Sequence, residues 1–183
     1  MTLGETRTPL PASPLSTADA LELFDGLGAV GVEEMTGTWA GEEFPTGHPM
    51  DGLLTATGWY GKQFVDAETV HPLLFHNADR RAVFPVDPAR VPVGVPVPTG
   101  PGWSYHRLIT AAAPLLRTRR PRARLRAVTH RGVTTATMIY DAKPIQDVFR
   151  RLDPDTVLGL MDLRDAAPYF FVLRRDPGTT VRA

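Results

Sequence analysis

The stretch Met35-Thr-Gly-Thr-Trp-Ala-Gly-Glu42 decides the reading of this chain. Trp39 stands between Gly37 and Gly41 at the start of the first long run with strand character. Glycine lets the backbone bend and lets another segment approach closely. An indole fills the space so left and needs an acceptor for its N–H. In a small closed sheet such a residue plugs one end. The motif points to a container before it points to a catalyst.

Working outward, the pattern predicts a strand over 33–44, broken by Pro45-Thr-Gly-His-Pro49. Residues 50–56 read as a short helix with Asp51 near its start, placed to act as a lid. Residues 59–64 and 70–75 read as strands joined through Asp66-Ala-Glu68. Upstream, Ser16-Thr-Ala-Asp19 has the hydroxyl cap and following acid of a helix start. Leu21, Phe24 and Leu27 supply its apolar stripe, and Gly26 and Gly28 end it. Residues 1–16, with Pro9, Pro11 and Pro14, read as a mobile tail.

Residues 84–102 hold six prolines. Proline donates no backbone hydrogen bond, so this run reads as a long extended connection and not as a central strand. Residues 122–130 and 133–140 flank Arg131-Gly132 as a hairpin. Over 145–152 two readings stand. Ile145, Val148, Phe149 and Leu152 have helical spacing after Pro144, and a bent strand fits as well. Asp153-Pro-Asp155 is a turn, and 156–163 and 168–175 are the last strands.

At 183 residues the chain supports one well-buried core. Hydrophobic content of 43% and charged content of 22% are those of an ordinary globular protein. A formal net charge of zero gives no global steering to nucleic acid or anionic membrane. There is no cysteine, hence no disulfide, thiolate nucleophile or cysteine-ligated metal. With no basic-then-apolar leader and no apolar run of about 18 residues, a cytoplasmic location is expected.

The segment running from Gly37-Thr-Trp-Ala-Gly41 through Pro45-Thr-Gly-His48, Trp59-Tyr-Gly-Lys62 and Val70-His-Pro72 resembles the family named for its GXWXG motif. Met138-Ile-Tyr-Asp141, Pro144-Ile145, Asp147, Phe149-Arg150, Asp153, Leu158-Gly159, Met161-Asp162 and Tyr169-Phe-Phe171 resemble the domain of unknown function that follows it in the same proteins. The resemblance carries no established activity. It looks toward the calycin-type barrels: lipocalins, fatty-acid-binding proteins and the haem-binding nitrobindins, the last with a similar glycine-framed tryptophan. It implies a mainly β fold, a single antiparallel β-barrel with one or two short helices, over 17–183. Its GXWXG segment (33–90) and C-terminal segment (122–176) share the one barrel.

Four constellations bear on function. The first is the set Trp39, Trp59, Tyr60, Phe64, Phe75, Met138, Tyr140, Met161 and Phe170. On alternating strands it forms either a packed core or the wall of a cavity for a flexible apolar ligand. The second is Asp141, Asp147, Arg150, Arg151 and Asp153, read either as a structural ion-pair set or as an anion site. In the anion site the planar fork of Arg150, with Lys62 as a second candidate, holds a ligand head group. The third is His48 with Asp51, a turn cap or an acid/base pair at the barrel mouth. The fourth is residues 117–126, from Arg117 to Arg126, with six arginines in ten. It reads as a charged outer face, or as a docking strip for a phosphate-rich membrane surface, and nucleic acid is not expected.

Histidine spacings give no helix-borne zinc site, so no metal is expected. A single imidazole suffices for haem, so a haem-binding reading stays open. The leading expectation is a monomer or homodimer that holds a small apolar ligand, a lipid or fatty-acyl molecule. Its lining would come from Trp39, Trp59, Tyr60, Lys62, Phe64, Met138, Tyr140, Arg150, Met161 and Phe170. The alternative is a small barrel enzyme (isomerase, cyclase or hydrolase) with His48, Asp51 or Asp147 as acid/base.

Overall fold

In the computed structural model, which describes residues 11, 13–92 and 105–182, the glycine-framed tryptophan lies on β1 (Gly37–Glu43). This strand pairs antiparallel with β2 (Trp59–Phe64) on one side and with β9 (Tyr169–Arg175), the last strand, on the other. Between them run β3 (Val70–His76), β4 (Val83–Pro85), β5 (Ala123–His130), β6 (Val133–Tyr140), β7 (Ile145–Asp153) and β8 (Thr156–Leu163). The nine strands form one sheet in the order β2-β1-β9-β8-β7-β6-β5-β3-β4. A further pairing of β2 with β3 brings the sheet round on itself as a ring of strands. The β3–β5 seam is a single pair, Val70 opposite Ala123.

Period-two alternation sorts the side chains into two layers. On β9, Tyr169, Phe171 and Leu173 enter the inner cluster, while Phe170 and Val172 face the outside. On β7, Ile145 and Phe149 point in and Val148 points out. The outer residues are covered by α1 (Thr17–Gly26), whose Ala20 and Phe24 seat on Val148, Leu158, Leu160, Phe170 and Val172. Burying Phe24 contributes about 1.5–3 kcal/mol, and its ring meets the edge of Phe170 at 6.2 Å. Ser16 caps α1 as the sequence predicts, its hydroxyl accepting from Asp19 N at 3.1 Å.

That double coverage settles the ambiguity at 145–152. A strand packed on both faces is apolar on both, and Ile145, Val148 and Phe149 then mimic helical spacing. The segment is a strand, so no helical ion pair joins Asp147 to Arg151; Arg151 instead binds Glu34 at 2.7 Å.

Other expectations shift in smaller ways. Residues 33–35 form a 3-10 turn, and the strand starts at Gly37. The short helix after the Pro-Thr-Gly-His turn is α2 (Leu53–Thr57). Two further helices, α3 (Tyr105–Ala111) and α4 (Ala113–Leu116), bring the described α-helices to four where one or two were expected. They are too short to show a full apolar stripe. Pro85 is tolerated because β4 ends the strand order, where a missing N–H breaks no central ladder. Most of the expected tail (1–10 and 12) and residues 93–102 of the expected extended connection lie outside the described residues. Among the described residues, no helix is long and apolar enough to cross a membrane.

Candidate functional site

Strict alternation along β2 would put Trp59 and Lys62, three residues apart, on opposite faces of the sheet. Both line the same interior chamber. The β2–β3 register shifts twice, between Trp59 and Gly61 and between Gly61 and Gln63. Gly61 has φ +148°, and a Cβ there would lie 2.0 Å from the Trp39 carbonyl oxygen. This glycine-dependent irregularity brings Trp59 onto the inner face that Lys62 and Phe64 share. Gly41 is needed for another reason, since a Cβ there would meet the Trp59 ring at 2.0 Å. The second glycine of the motif thus makes room for the next tryptophan. Trp39 itself donates from Nε1 to Met35 O at 2.8 Å, under the Arg175 guanidinium.

Inside, Lys62 Nζ lies 2.8 Å from Asp147 Oδ2, with the two side chains 3% and 1% exposed. The ammonium also donates to Pro72 O at 3.1 Å and to the Tyr140 hydroxyl at 3.3 Å. Its three hydrogens are therefore all committed. Tyr140 in turn donates to Asp147 Oδ2 at 3.4 Å. The rings of Trp59, Tyr140 and Phe171 stand 5.0–5.6 Å from the ammonium, within cation–π range. Burial pushes the Asp147 carboxyl above its usual range, an effect that Lys62 and Tyr140 oppose. Burial and the neighbouring carboxylate push the Tyr140 hydroxyl well up. Among the described residues, three buried polar atoms at this site have no partner: Asp147 Oδ1, Trp59 Nε1 and the Tyr169 hydroxyl.

These groups border a cavity of about 90 Å³. One water occupies roughly 10–15 Å³ on that measure, so there is room for several. The register sets Asp147 beside Met161 and Met161 beside Tyr169, a row across three strands. Leu73 and Phe75 of β3 and Phe171 of β9 complete an apolar wall. The mouth is covered by Met50 and by Leu53, Leu54 and Thr57 of α2. The helix is tethered to β1: the Glu43 carboxylate accepts from Gly52 N and Thr55 N, each at 3.0 Å.

Of the residues expected to line a cavity, Trp59, Lys62, Tyr140 and Met161 do so, together with Asp147. Trp39, Phe64 and Met138 are inner core and do not border the chamber. Three others fall on the outside of the sheet. Tyr60 packs with Leu74 and Val83, and Phe170 packs under α1. Arg150 lies beneath α1 as well, donating to Leu27 O and His130 O with its guanidinium 5.1 Å from the Phe24 ring. It sits on the face opposite Asp147 and holds nothing in the chamber. Asp51 is occupied by the turn, its Oδ2 accepting from the backbone N of Thr46, Gly47 and His48. It does not orient the His48 ring, whose Nδ1 accepts from Met50 N while the ring leans on Tyr169 at 5.1 Å.

Three of the six arginines in the rich run are ion-paired: Arg122 binds Asp87, Arg124 binds Asp141 and Arg126 binds Glu68. None of the five histidines borders the chamber. No imidazole is aimed inward, and a haem needs far more volume than about 90 Å³, so the chamber as shaped does not fit one. Among the described residues, no group of three His, Cys, Asp or Glu is placed to hold a metal. Sequence reasoning missed Tyr169, Phe171 and Leu73. For the first two the signal was present, since Tyr169 and Phe171 alternate on one strand. Lys62 also stood out, being one of only two lysines beside 18 arginines.

Residues 22–80 match the family described as GXWXG protein, and residues 121–175 match the domain of unknown function DUF4334. No curated protein matches the chain. A crystal structure of a protein from Thermomonospora curvata is similar, with 32% identity, 89% of each chain covered and a TM-score of 0.67. This chain belongs to the GXWXG family, with the DUF4334 domain as its C-terminal part.

Proposed function

We propose that the ring of strands works as a lipocalin-like barrel whose chamber holds a small, mostly apolar ligand. One observation carries this reading: an apolar cavity of about 90 Å³ ends on a buried polar cluster that its own side chains leave incompletely bonded. A purely structural interior fills such space with branched aliphatics and satisfies its polar atoms. Apolar burial supplies affinity at about 25 cal/mol per Å². Drug-sized ligands occupy pockets of about 300–1,000 Å³, so the chamber as shaped suits a compact guest. A fatty-acyl chain requires α2 to swing away from β1.

The acid–base alternative now rests on Asp147 alone, because it borders the chamber with one free oxygen and an upward-shifted carboxyl. A single titration tests the main reading. Calorimetry of the wild type and of Leu73→Trp with short cyclic hydrocarbons should give saturable binding in the wild type and none in the filled variant. Absence of binding to the wild type, or equal binding to both, contradicts the proposal.

A further inference from the structure

The polar end of the chamber has a definite hydrogen-bonding demand. Lys62 has no hydrogen to spare, since Asp147, Pro72 O and Tyr140 take all three. Asp147 Oδ1 is an unpartnered acceptor, Trp59 Nε1 an unpartnered donor, and the Tyr169 hydroxyl is free to do either. The Lys62–Asp147 pair is formally neutral, and among the described residues no other basic side chain borders the chamber. An anionic head group would therefore meet the bare oxygen of Asp147 with no free cation to balance it. A ketone oxygen accepts only, and leaves that oxygen unpaired. A hydroxyl both donates and accepts.

From this we infer that the guest is a small apolar alcohol or enol whose O–H donates to Asp147 Oδ1, with its body over Met161. The inference rests on the proposed chamber and names the class of molecule that fills it. Met161 lies between Asp147 and Tyr169 in the strand register, so a ligand over its thioether has the carboxylate at one side and the phenol at the other. Trp59 and Phe171, edge to face at 5.9 Å, enclose the apolar part. Buried groups built to meet a hydroxyl reject analogues that lack it, because the site is then left unpaired.

The test is calorimetry on the full chain with four matched probes: cyclopentanol, cyclopentanone, methylcyclopentane and cyclopentanecarboxylate. Cyclopentanol should bind tighter than each of the other three by roughly tenfold or more, the expected effect of a hydrogen bond to a charged group. In the double variant Lys62→Met/Asp147→Leu, which removes both charges together, that preference should vanish while methylcyclopentane still binds. Should the double variant fail to fold, the indole N–H resonance of Trp59 in the wild type serves instead: cyclopentanol should shift it more than methylcyclopentane does. Equal affinities, tightest binding of the ketone or the carboxylate, or a preference that survives in the double variant overturns the hydroxyl assignment and leaves the chamber standing. Failure of all four probes overturns the chamber itself and this inference with it.

Discussion

The Lys62 ammonium and the Asp147 carboxylate meet at 2.8 Å inside a wall of aromatic rings, each side chain almost wholly withdrawn from water. They come from β2 and β7, strands that do not pair with each other, so the contact spans the interior of the ring. Removing one partner leaves an uncompensated buried charge, which costs about 3–5 kcal/mol. Lys62→Met and Asp147→Leu should each lose that much stability by chemical denaturation. The double variant should recover most of it, since an apolar pair of similar volume is often neutral. Additive losses in the double variant would show that the pair is not coupled.

The two motif-associated glycines should differ in how much they tolerate a methyl group. At Gly41 the added Cβ presses on the Trp59 ring, a side chain, and overpacking of that kind costs about 1–3 kcal/mol. At Gly61 it presses on the Trp39 carbonyl in a backbone conformation, φ +148°, that side chains rarely adopt. Gly61→Ala should therefore be the more damaging in denaturation midpoint and soluble yield. Gly41→Ala should fold and change the Trp59 fluorescence. The reverse ranking would contradict the assigned roles.

Arg150 should matter for stability and not for binding. Its guanidinium donates to the carbonyls of Leu27 and His130 on the outer face, so Arg150→Met leaves those acceptors unmet at a cost of about 1–3 kcal/mol. Ligand affinity per folded molecule should be unchanged. A large loss of affinity at full stability would place Arg150 in the chamber after all.

Burial holds the imidazoles of His71, His76 and His130 below their usual 6.5. The unfolded chain then takes up protons before the folded one does as pH falls. Stability is full above about 6.5 and declines as pH drops through that value toward the lowered ones. Melting temperatures from pH 8 down to 5 should be flat at first and then fall. A Tm that stays level to pH 5 would show that these imidazoles titrate normally in the fold.

Much of the sheet was legible from sequence, because residues 59–64, 70–75, 122–130, 133–140 and 156–163 carry strand character between clear turns. The glycine-framed motif also announced its close approaches. What stayed hidden has local physical reasons. A strand covered on both sides, such as Ile145–Asp153, loses the alternation that marks strands and borrows the spacing of a helix. Arg150, Phe170 and Tyr60 read as cavity residues because inward and outward positions differ by one residue, and nothing in the chain alone fixes that register. Trp59 shares the inner face with Lys62 and Phe64 because the backbone irregularity at Gly61 resets the count between them. The partnership of Lys62 with Asp147 was not visible, since it depends on how the ring closes.

Everything functional here depends on the interior accepting an apolar guest beside the Lys62–Asp147 pair. Xenon enters dry apolar cavities and scatters strongly, so crystals held under xenon pressure give the most direct reading. One interior xenon site bordered by Leu73, Phe75, Met161 and Phe171 is expected. Diffraction showing no xenon within the ring, with those side chains closed on one another, would contradict it.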